Sequence, residues 1–329
     1  MKKAGKLGER KIIEIIQNRL DLMPRMPVPF GDDVAAFEIG SGDLVVLKTD
    51  MLVGKTDVPR GMSVWQAARK AIVMNVSDFA AKGVKPIALL VSLGLPRNST
   101  EKDVEEIGAG LNAGAREYDA YVIGGDTGEA SDLIISVSLF GMAQKGKLML
   151  RSGARPGDLL AVTGPFGKPS AGLKILVDGR EARDDIRNAL VESVLMPHAR
   201  LREGLALAHT GAVSAAIDSS DGLAWSLHEI ARASKVGMTV EALPTSREAE
   251  KFAIVDKLDP VELTLYGGEE YELVLTVRPR LWGKAEKAVE RAGGTLVKIG
   301  KVTAKESILF ERRGRQVEVE PRGYEHFKT

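Results

Sequence analysis

Two domains of the α/β or α+β kind are what this sequence predicts, on three observations. The chain has 329 residues; strand-length apolar runs are interleaved with longer stretches of helical periodicity; and the texture changes near residue 145. A chain of that length supports two cores of ordinary size. Its composition, 44% hydrophobic and 28% charged with 35 Gly and 14 Pro, is that of a folded chain rather than a disordered or fibrous one.

In chain order, residues 7–22 place Leu7, Ile12, Ile13, Ile15, Ile16 and Leu20 at roughly helical spacing, and Pro24, Pro27 and Pro29 end the pattern. Strand-like runs follow at 44–49, 88–93, 121–123 and 133–140. Between them one helix starts after Ser63 and stops at Gly83. Another opens at Ser99 or Thr100 with acidic residues in its first turn and runs to about Tyr118. Residues 144–158 are basic and turn-rich and read as a connection. They separate an N-terminal domain, 1–145, from a C-terminal one, 146–329. The second set comprises strands at 159–163, 214–217 and 273–277, and helices near 171–177, 186–196, 220–233 and 285–292.

Bulk properties exclude several classes of function. Lys and Arg total 46 against 45 Asp and Glu, so no global charge argues for nucleic acid or an anionic membrane. With no Cys, disulfides, iron–sulfur clusters, thiolate zinc sites and a cysteine nucleophile are all ruled out. No apolar run approaches the ~18 residues of a membrane span. A helical pattern rather than a signal-peptide core follows the basic start, so cytoplasm is the expected location. The segment 164–169 lacks the glycine offset of a P-loop, and Gly40–Ser41–Gly42 precedes a strand instead of following one. Protein-kinase motifs are absent. The four histidines, His198, His209, His228 and His326, are scattered.

Aspartate is the informative residue. It recurs beside glycine or at the ends of apolar runs, in GlyAspAspVal (31–34), LysThrAsp (48–50), AsnValSerAsp (75–78), GlyGlyAspThr (124–127) and AspSerSerAspGly (218–222). Any one of these is also a plausible turn or cap. Five converging would repel one another without cations, and magnesium is the natural partner, being hard and able to bridge carboxylates to phosphates. Asp32 and Asp33, if extended, point to opposite faces, so that only one meets a site. Asp78 lies in an Ala/Val-rich helical pattern and needs a metal or a cation; Lys82 at i+4 is the local alternative. Asp218 and Asp221 are close enough at a helix start to share one ion, with Ser219 or Ser220 available as the cap.

The ordered set of these clusters, followed by ArgSerGlyAlaArgProGlyAsp (151–158), GlyGlyGluGluTyrGluLeu (267–273) and GlyTyrGluHisPhe (323–327), resembles the thiamine-monophosphate kinase family. That family lies within the superfamily of aminoimidazole-ribonucleotide synthetase, selenophosphate synthetase and HypE. The resemblance spans residues 7 to 327. It implies an ATP-binding α/β N-terminal domain whose strands pair with a partner's in a dimeric β-barrel, and an α+β C-terminal domain. It also implies direct transfer of the ATP γ-phosphoryl to thiamine monophosphate, with several Mg²⁺ ions and a homodimer. Carried over by position, the implied metal ligands are Asp33, Thr49, Asp50, Asp78, Asp126, Asp218 and Asp221. ATP contacts fall at Gly125, Asp126, Arg151 and Ser220, and substrate contacts at Asp57, Glu269 and Tyr324. Asp126, Asp218 and Asp221 are expected to carry catalysis. Three positions depart from the family: Lys48 where Ser or Thr is common, Asp57 at a usual His, and Glu270 at a usual Asp. Lys48 is expected either to point away from the site or to replace one cation. Two other readings are an aminoimidazole-ribonucleotide synthetase-like enzyme and a non-catalytic nucleotide-binding dimer.

Overall fold

A computed structural model of the chain describes residues 3–312 and 314–327. The first sheet has five strands, β1 (Ala35–Gly40), β2 (Asp43–Val53), β3 (Pro86–Leu95), β4 (Tyr121–Glu129) and β5 (Ile134–Gln144), in the order β1-β2-β5-β3-β4. Its pairings are antiparallel except β3 with β4, which are parallel and joined through a helix. Four helices accompany it: α1 (Glu9–Gln17), α2 (Gly54–Asp57), α3 (Val64–Lys82) and α4 (Glu101–Glu117).

The second sheet has seven strands, β6 (Leu159–Val162), β7 (Val213–Asp218), β8 (Gly237–Val240), β9 (Leu273–Val277), β10 (Val297–Thr303), β11 (Ile308–Arg312) and β12 (Arg315–Glu318). They run in the order β12-β11-β8-β10-β6-β9-β7. The helices of this half are α5 (Lys168–Leu176), α6 (Asp184–Leu195), α7 (Leu201–Ala208), α8 (Leu223–Ser234), α9 (Arg247–Asp256), α10 (Pro260–Leu265) and α11 (Trp282–Arg291). Two domains of mixed sheet and helix result.

Helix α3 determines where the site can lie. The Ser63 side chain accepts the Gln66 N–H while Gln66 returns the bond to the Ser63 N–H, a reciprocal cap. At the other end Gly83 takes a left-handed φ of 68° and stops the helix. Between them almost every residue is buried, because the helix is enclosed by β2 and β5, by α4, and by α7 and β7 of the second domain. A Cβ at Gly204 of α7 would lie 2.0 Å from the Ala80 carbonyl oxygen, so only glycine lets α7 approach this closely. Polar side chains on the C-terminal half of α3 therefore open onto the seam between the sheets.

Several expected bounds shift. Helix α1 ends at Gln17, well short of residue 22. Strand β4 continues through Gly124, Gly125 and Asp126, which the glycines had suggested lay beyond its end. Helix α8 begins at Leu223 with Gly222 as its N-cap at φ 112°, so neither Ser219 nor Ser220 caps it. Elements such as β8, a fully buried run of four residues, are too short for periodicity to distinguish strand from helix.

Candidate functional site

Three carboxylates from distant segments meet at the seam. One oxygen each of Asp33, before β1, Asp78, on α3, and Asp218, at the end of β7, lie within 4.8 Å of one another, and all three residues are buried. Around them stand three cations. Lys82 Nζ sits 2.7 Å from Asp32 Oδ1 and 2.7 Å from Asp33 Oδ2, and donates to the Ala216 carbonyl at 2.9 Å. Arg151 donates through Nε to Asp33 at 2.6 Å and through Nη1 to the Gly31 carbonyl at 2.9 Å. Lys48 Nζ lies 3.0 Å from Asp78 Oδ2 and 3.2 Å from Asp50 Oδ1.

Two expectations are corrected here. Lys82 does not serve Asp78, its neighbour at i+4; the ion pair of Asp78 is with Lys48 from β2. Asp32 and Asp33 do not point to opposite faces, because residues 31–34 form a bend in which strand alternation does not apply, and both reach Lys82. Of the two alternatives for Lys48, pointing away is not what the chain does.

The charge balance follows from these contacts. Burial opposes ionisation of Asp33, but Lys82 and Arg151 outweigh it and hold that carboxyl below its ordinary value. Burial raises Asp78 well above the usual range, with Asp218 and Asp50 adding to the effect against Lys48. Burial, followed by the charge of Asp33, lifts Asp218 to about 6, although Ser77 donates to its Oδ2 at 2.7 Å. Among the described residues Lys48, Lys82 and Arg151 are the cations paired with Asp32, Asp33, Asp50 and Asp78, none is paired with Asp218, and the carboxyl groups outnumber the cations. A hard divalent cation fits that donor set, which offers close, buried carboxylate oxygens and an uncompensated negative charge.

A second group lies alongside. The buried Lys70 of α3 donates to the Asp57 carbonyl at 3.0 Å and to Glu269 Oε1 at 2.7 Å. Glu269 and Tyr271 adopt left-handed φ values of 69° and 54°, a strained backbone for residues with side chains. The Glu269 N–H bonds the Ser220 carbonyl at 2.6 Å and that of Tyr271 the Ser219 carbonyl at 2.9 Å, which pins the strained segment to the loop holding Asp218 and Asp221. Tyr324 joins through its N–H to the Asp221 carbonyl, 3.0 Å. Burial and then the nearby charges of Asp57, Glu269 and Asp221 push its phenol up to about 12. Asp221 itself rises to about 6 through burial and the charge of Glu9. Glu270 turns elsewhere: half-buried, it accepts the Gly167 N–H, and desolvation raises it well above the usual range.

Other expected site residues lie apart. Strand alternation places Lys48 and Asp50 toward α3 but Thr49 on the opposite face, where its hydroxyl donates to the Val137 carbonyl at 3.0 Å. The structure thus separates the side chain of Thr49 from those of Asp50 and Asp78. Asp126 stands on β4, every residue of which is exposed, opposite Ser92 of β3. A bulge places an extra residue, Ile123, in β4, and a Cβ on Gly125 would come 1.8 Å from the Val91 carbonyl oxygen. That contact explains glycine at 125 on close approach alone. Asp33, Asp78 and Asp218 are brought together; Asp126 is not in that group, and the Thr49 hydroxyl turns to Val137.

The polar residues not anticipated are Lys70 and Ser77, and Lys82 is expected from the sequence only as the partner of Asp78. Their signal was present. On helical spacing Asn75, Asp78 and Lys82 form one stripe and Lys70 and Ser77 an adjoining one, in a helix rich in Ala, Val and Ile. A buried lysine in such a helix demands a carboxylate.

Residues 31–143 match the family described as AIR synthase related protein, N-terminal domain, and residues 155–311 match its C-terminal domain. The chain is 33% identical to a thiamine-monophosphate kinase of Nitrosopumilus maritimus, over 98% of this chain and 100% of that one. It is 37% identical to that of Pyrococcus horikoshii over 91% of each. Among solved structures it is similar to AaThiL complexed with AMPPCP and TMP, with a TM-score of 0.86 and 29% identity over 99% of both chains.

Proposed function

The chain belongs to the thiamine-monophosphate kinase family of AIR synthase related proteins, and we infer from its site how it acts: the γ-phosphoryl of ATP is transferred directly to the phosphate of thiamine monophosphate, giving thiamine diphosphate and ADP. The observation that carries the reading is the convergence of Asp33, Asp78 and Asp218 at the seam between the two domains. Phosphoryl transfer needs positioning and charge neutralisation more than covalent chemistry. Bound Mg²⁺ would supply that neutralisation for the polyphosphate and for the charge developing on the transferred group.

Asp33, Asp78 and Asp218 would hold the cation, with Asp221 and Asp126 as further carboxylates toward the nucleotide. Arg151 offers a planar, permanently charged fork, and its contact with Asp33 keeps it at the cluster. Gly125 and Ser220 present backbone near the phosphates. On the substrate side Lys70 fixes Glu269, and Asp57, Glu269 and Tyr324 form an acidic, aromatic rim suited to a cationic ring. Residues 1–145 serve as the nucleotide and dimerisation domain and 146–329 as its partner. Exposed Leu47, Met51, Leu90, Ile123 and Met142 lie on the strands of the first sheet and support pairing of two copies there as a barrel. Among the described residues no helix is long and apolar enough to cross a membrane, and a cytoplasmic location is proposed.

Purified protein given ATP, Mg²⁺ and thiamine monophosphate should form thiamine diphosphate and ADP in equal amounts, with no labelled protein after γ-labelled ATP. ADP formation that ignores thiamine monophosphate would overturn the acceptor. A labelled phosphoenzyme would overturn direct transfer.

A further inference from the structure

Lys48 and Asp50 stand two residues apart on β2, on the face that α3 covers. The ammonium of Lys48 lies between Asp50 Oδ1, at 3.2 Å, and Asp78 Oδ2, at 3.0 Å, and its side chain is only 18% exposed. Asp78 belongs at the same time to the group with Asp33 and Asp218. The two other cations of the site are engaged on the far side, Lys82 with Asp32 and Asp33, and Arg151 with Asp33. Lys48 is therefore the cation that occupies the notch between Asp50 and Asp78.

We propose that Lys48 is a built-in cation that takes the place of a divalent ion between Asp50 and Asp78, confining this chain's divalent ions to the side of Asp33, Asp78 and Asp218. The proposal rests on the reading that the site works with Mg²⁺. Magnesium needs oxygen ligands at about 2.0–2.1 Å in a near-octahedral shell. An ammonium offers three donors and no lone pair, so it can share the two carboxylates but cannot join such a shell. The two cations exclude each other sterically and by charge. Lys48 does not swing aside without another cation in its place, because two partly buried carboxylates would then stand against each other without a counter-ion. Asp50 then acts as the anchor of Lys48 rather than as a metal ligand.

Counting Mn²⁺ bound per chain tests this, through the electron paramagnetic resonance signal of the free ion in the presence of AMPPCP. The full chain, Lys48→Ser and Lys48→Arg are compared, with folding checked by circular dichroism. Lys48→Ser should bind one ion more per chain than the parent and Lys48→Arg the same number. Equal counts for Lys48→Ser and the parent would overturn the proposal. Should Lys48→Ser fail to fold, Asp50→Asn decides: the parent's count should persist, and loss of one ion would exclude the anchor role. Thiamine diphosphate formation is followed separately, so a chain without that turnover removes the kinase reading while the ion count still judges Lys48.

Discussion

Asp218 and Asp126 start from similar local sequence, each following an apolar run beside small residues, and end in opposite surroundings. Asp218 closes a buried strand, accepts from Ser77 and shares its space with Asp33 and Asp78. Asp126 lies on an exposed edge strand whose tyrosine and isoleucine also face solvent, Tyr121 at 57% and Ile123 at 69%. The difference lies in what packs on top. Helix α3 and strand β7 seal the first region, and the chain supplies Lys48, Lys82 and Arg151 to offset the desolvated charge. In the second region water does that work, since every residue of β4 is exposed in the single chain. The carboxylate cluster is therefore tied to the fold's stability, and Asp126 is available to function without affecting it.

The sharpest way to break this contrast is Lys82→Met. It removes the ammonium shared by Asp32, Asp33 and the Ala216 carbonyl and leaves buried carboxylates short of a partner. Stability should fall by about 3–5 kcal/mol, read from the denaturant midpoint. Asp126→Ala should stay within about 0.5 kcal/mol of the parent in the same assay. Equal losses in the two variants would mean that the regions do not differ as described.

Activity should erase the distinction that stability draws. Asp218→Asn keeps the shape and the contact with Ser77 but loses the charge, and Asp126→Ala loses a carboxylate proposed to face the nucleotide. Each should lower kcat by roughly 10²–10³-fold, about 2.7–4 kcal/mol of transition-state stabilisation. A fully active Asp126→Ala would reduce β4 to an edge strand with no part in the chemistry.

Titration of the ion-free protein sharpens the same comparison. Burial lifts Asp218 and Asp221 to about 6 from an ordinary 3.8, so the folded chain holds protons that the unfolded chain has already released. Their contribution to stability is complete below the ordinary value and is lost as pH rises through about 6. Asp33, held low by Lys82 and Arg151, behaves in the opposite sense and loses its contribution on acidification below the ordinary carboxylate range. In chelator, stability should therefore decline between pH 5 and pH 7 by on the order of 2 kcal/mol. Added Mg²⁺ should restore it more at pH 7 than at pH 5. A flat profile would place these carboxyls in contact with water.

What could be read ahead of the structure was local. The bounds of α3 follow from Ser63 and Gly83, and a carboxylate at 78 in an Ala/Val-rich helix announces a buried cation. That Lys48 pairs with Asp78 was not read, because Lys48 arrives from β2, the sequence leaves it between pointing away and replacing a cation, and the i+4 rule pointed at Lys82. The same limit applies to Asp32 and Asp33: whether alternation holds depends on the segment being a strand, and a bend turns both to one side. At residues 218–222 the helix starts three residues late because Gly222 supplies a backbone angle that the serines cannot, so a cap motif misled where a loop was needed. The exposure of β4 is a property of the isolated chain that no strand periodicity encodes.

The smallest expected effect belongs to the rim at Tyr324. Here the buried Lys70, with Arg10 beside Asp221, stands against Asp57, Glu269, Asp221 and Glu9, so the rim is net negative around a half-exposed aromatic ring whose hydroxyl meets His326 Nδ1 at 3.2 Å. A cationic thiazolium gains from both the carboxylates and the face of the ring, whereas the phosphates are drawn to the cations of the inner cluster. Tyr324→Ala should raise KM for thiamine monophosphate by roughly 5–10-fold, about 1 kcal/mol, with kcat nearly unchanged, because the ring contacts the substrate equally before and during transfer. Tyr324→Phe should retain most of the affinity, since it is the face rather than the hydroxyl that meets the cation. If both variants lost affinity equally, the hydrogen bond to His326 would be the essential feature, and the rim would act by holding the C-terminal segment over Asp221 rather than by attracting charge.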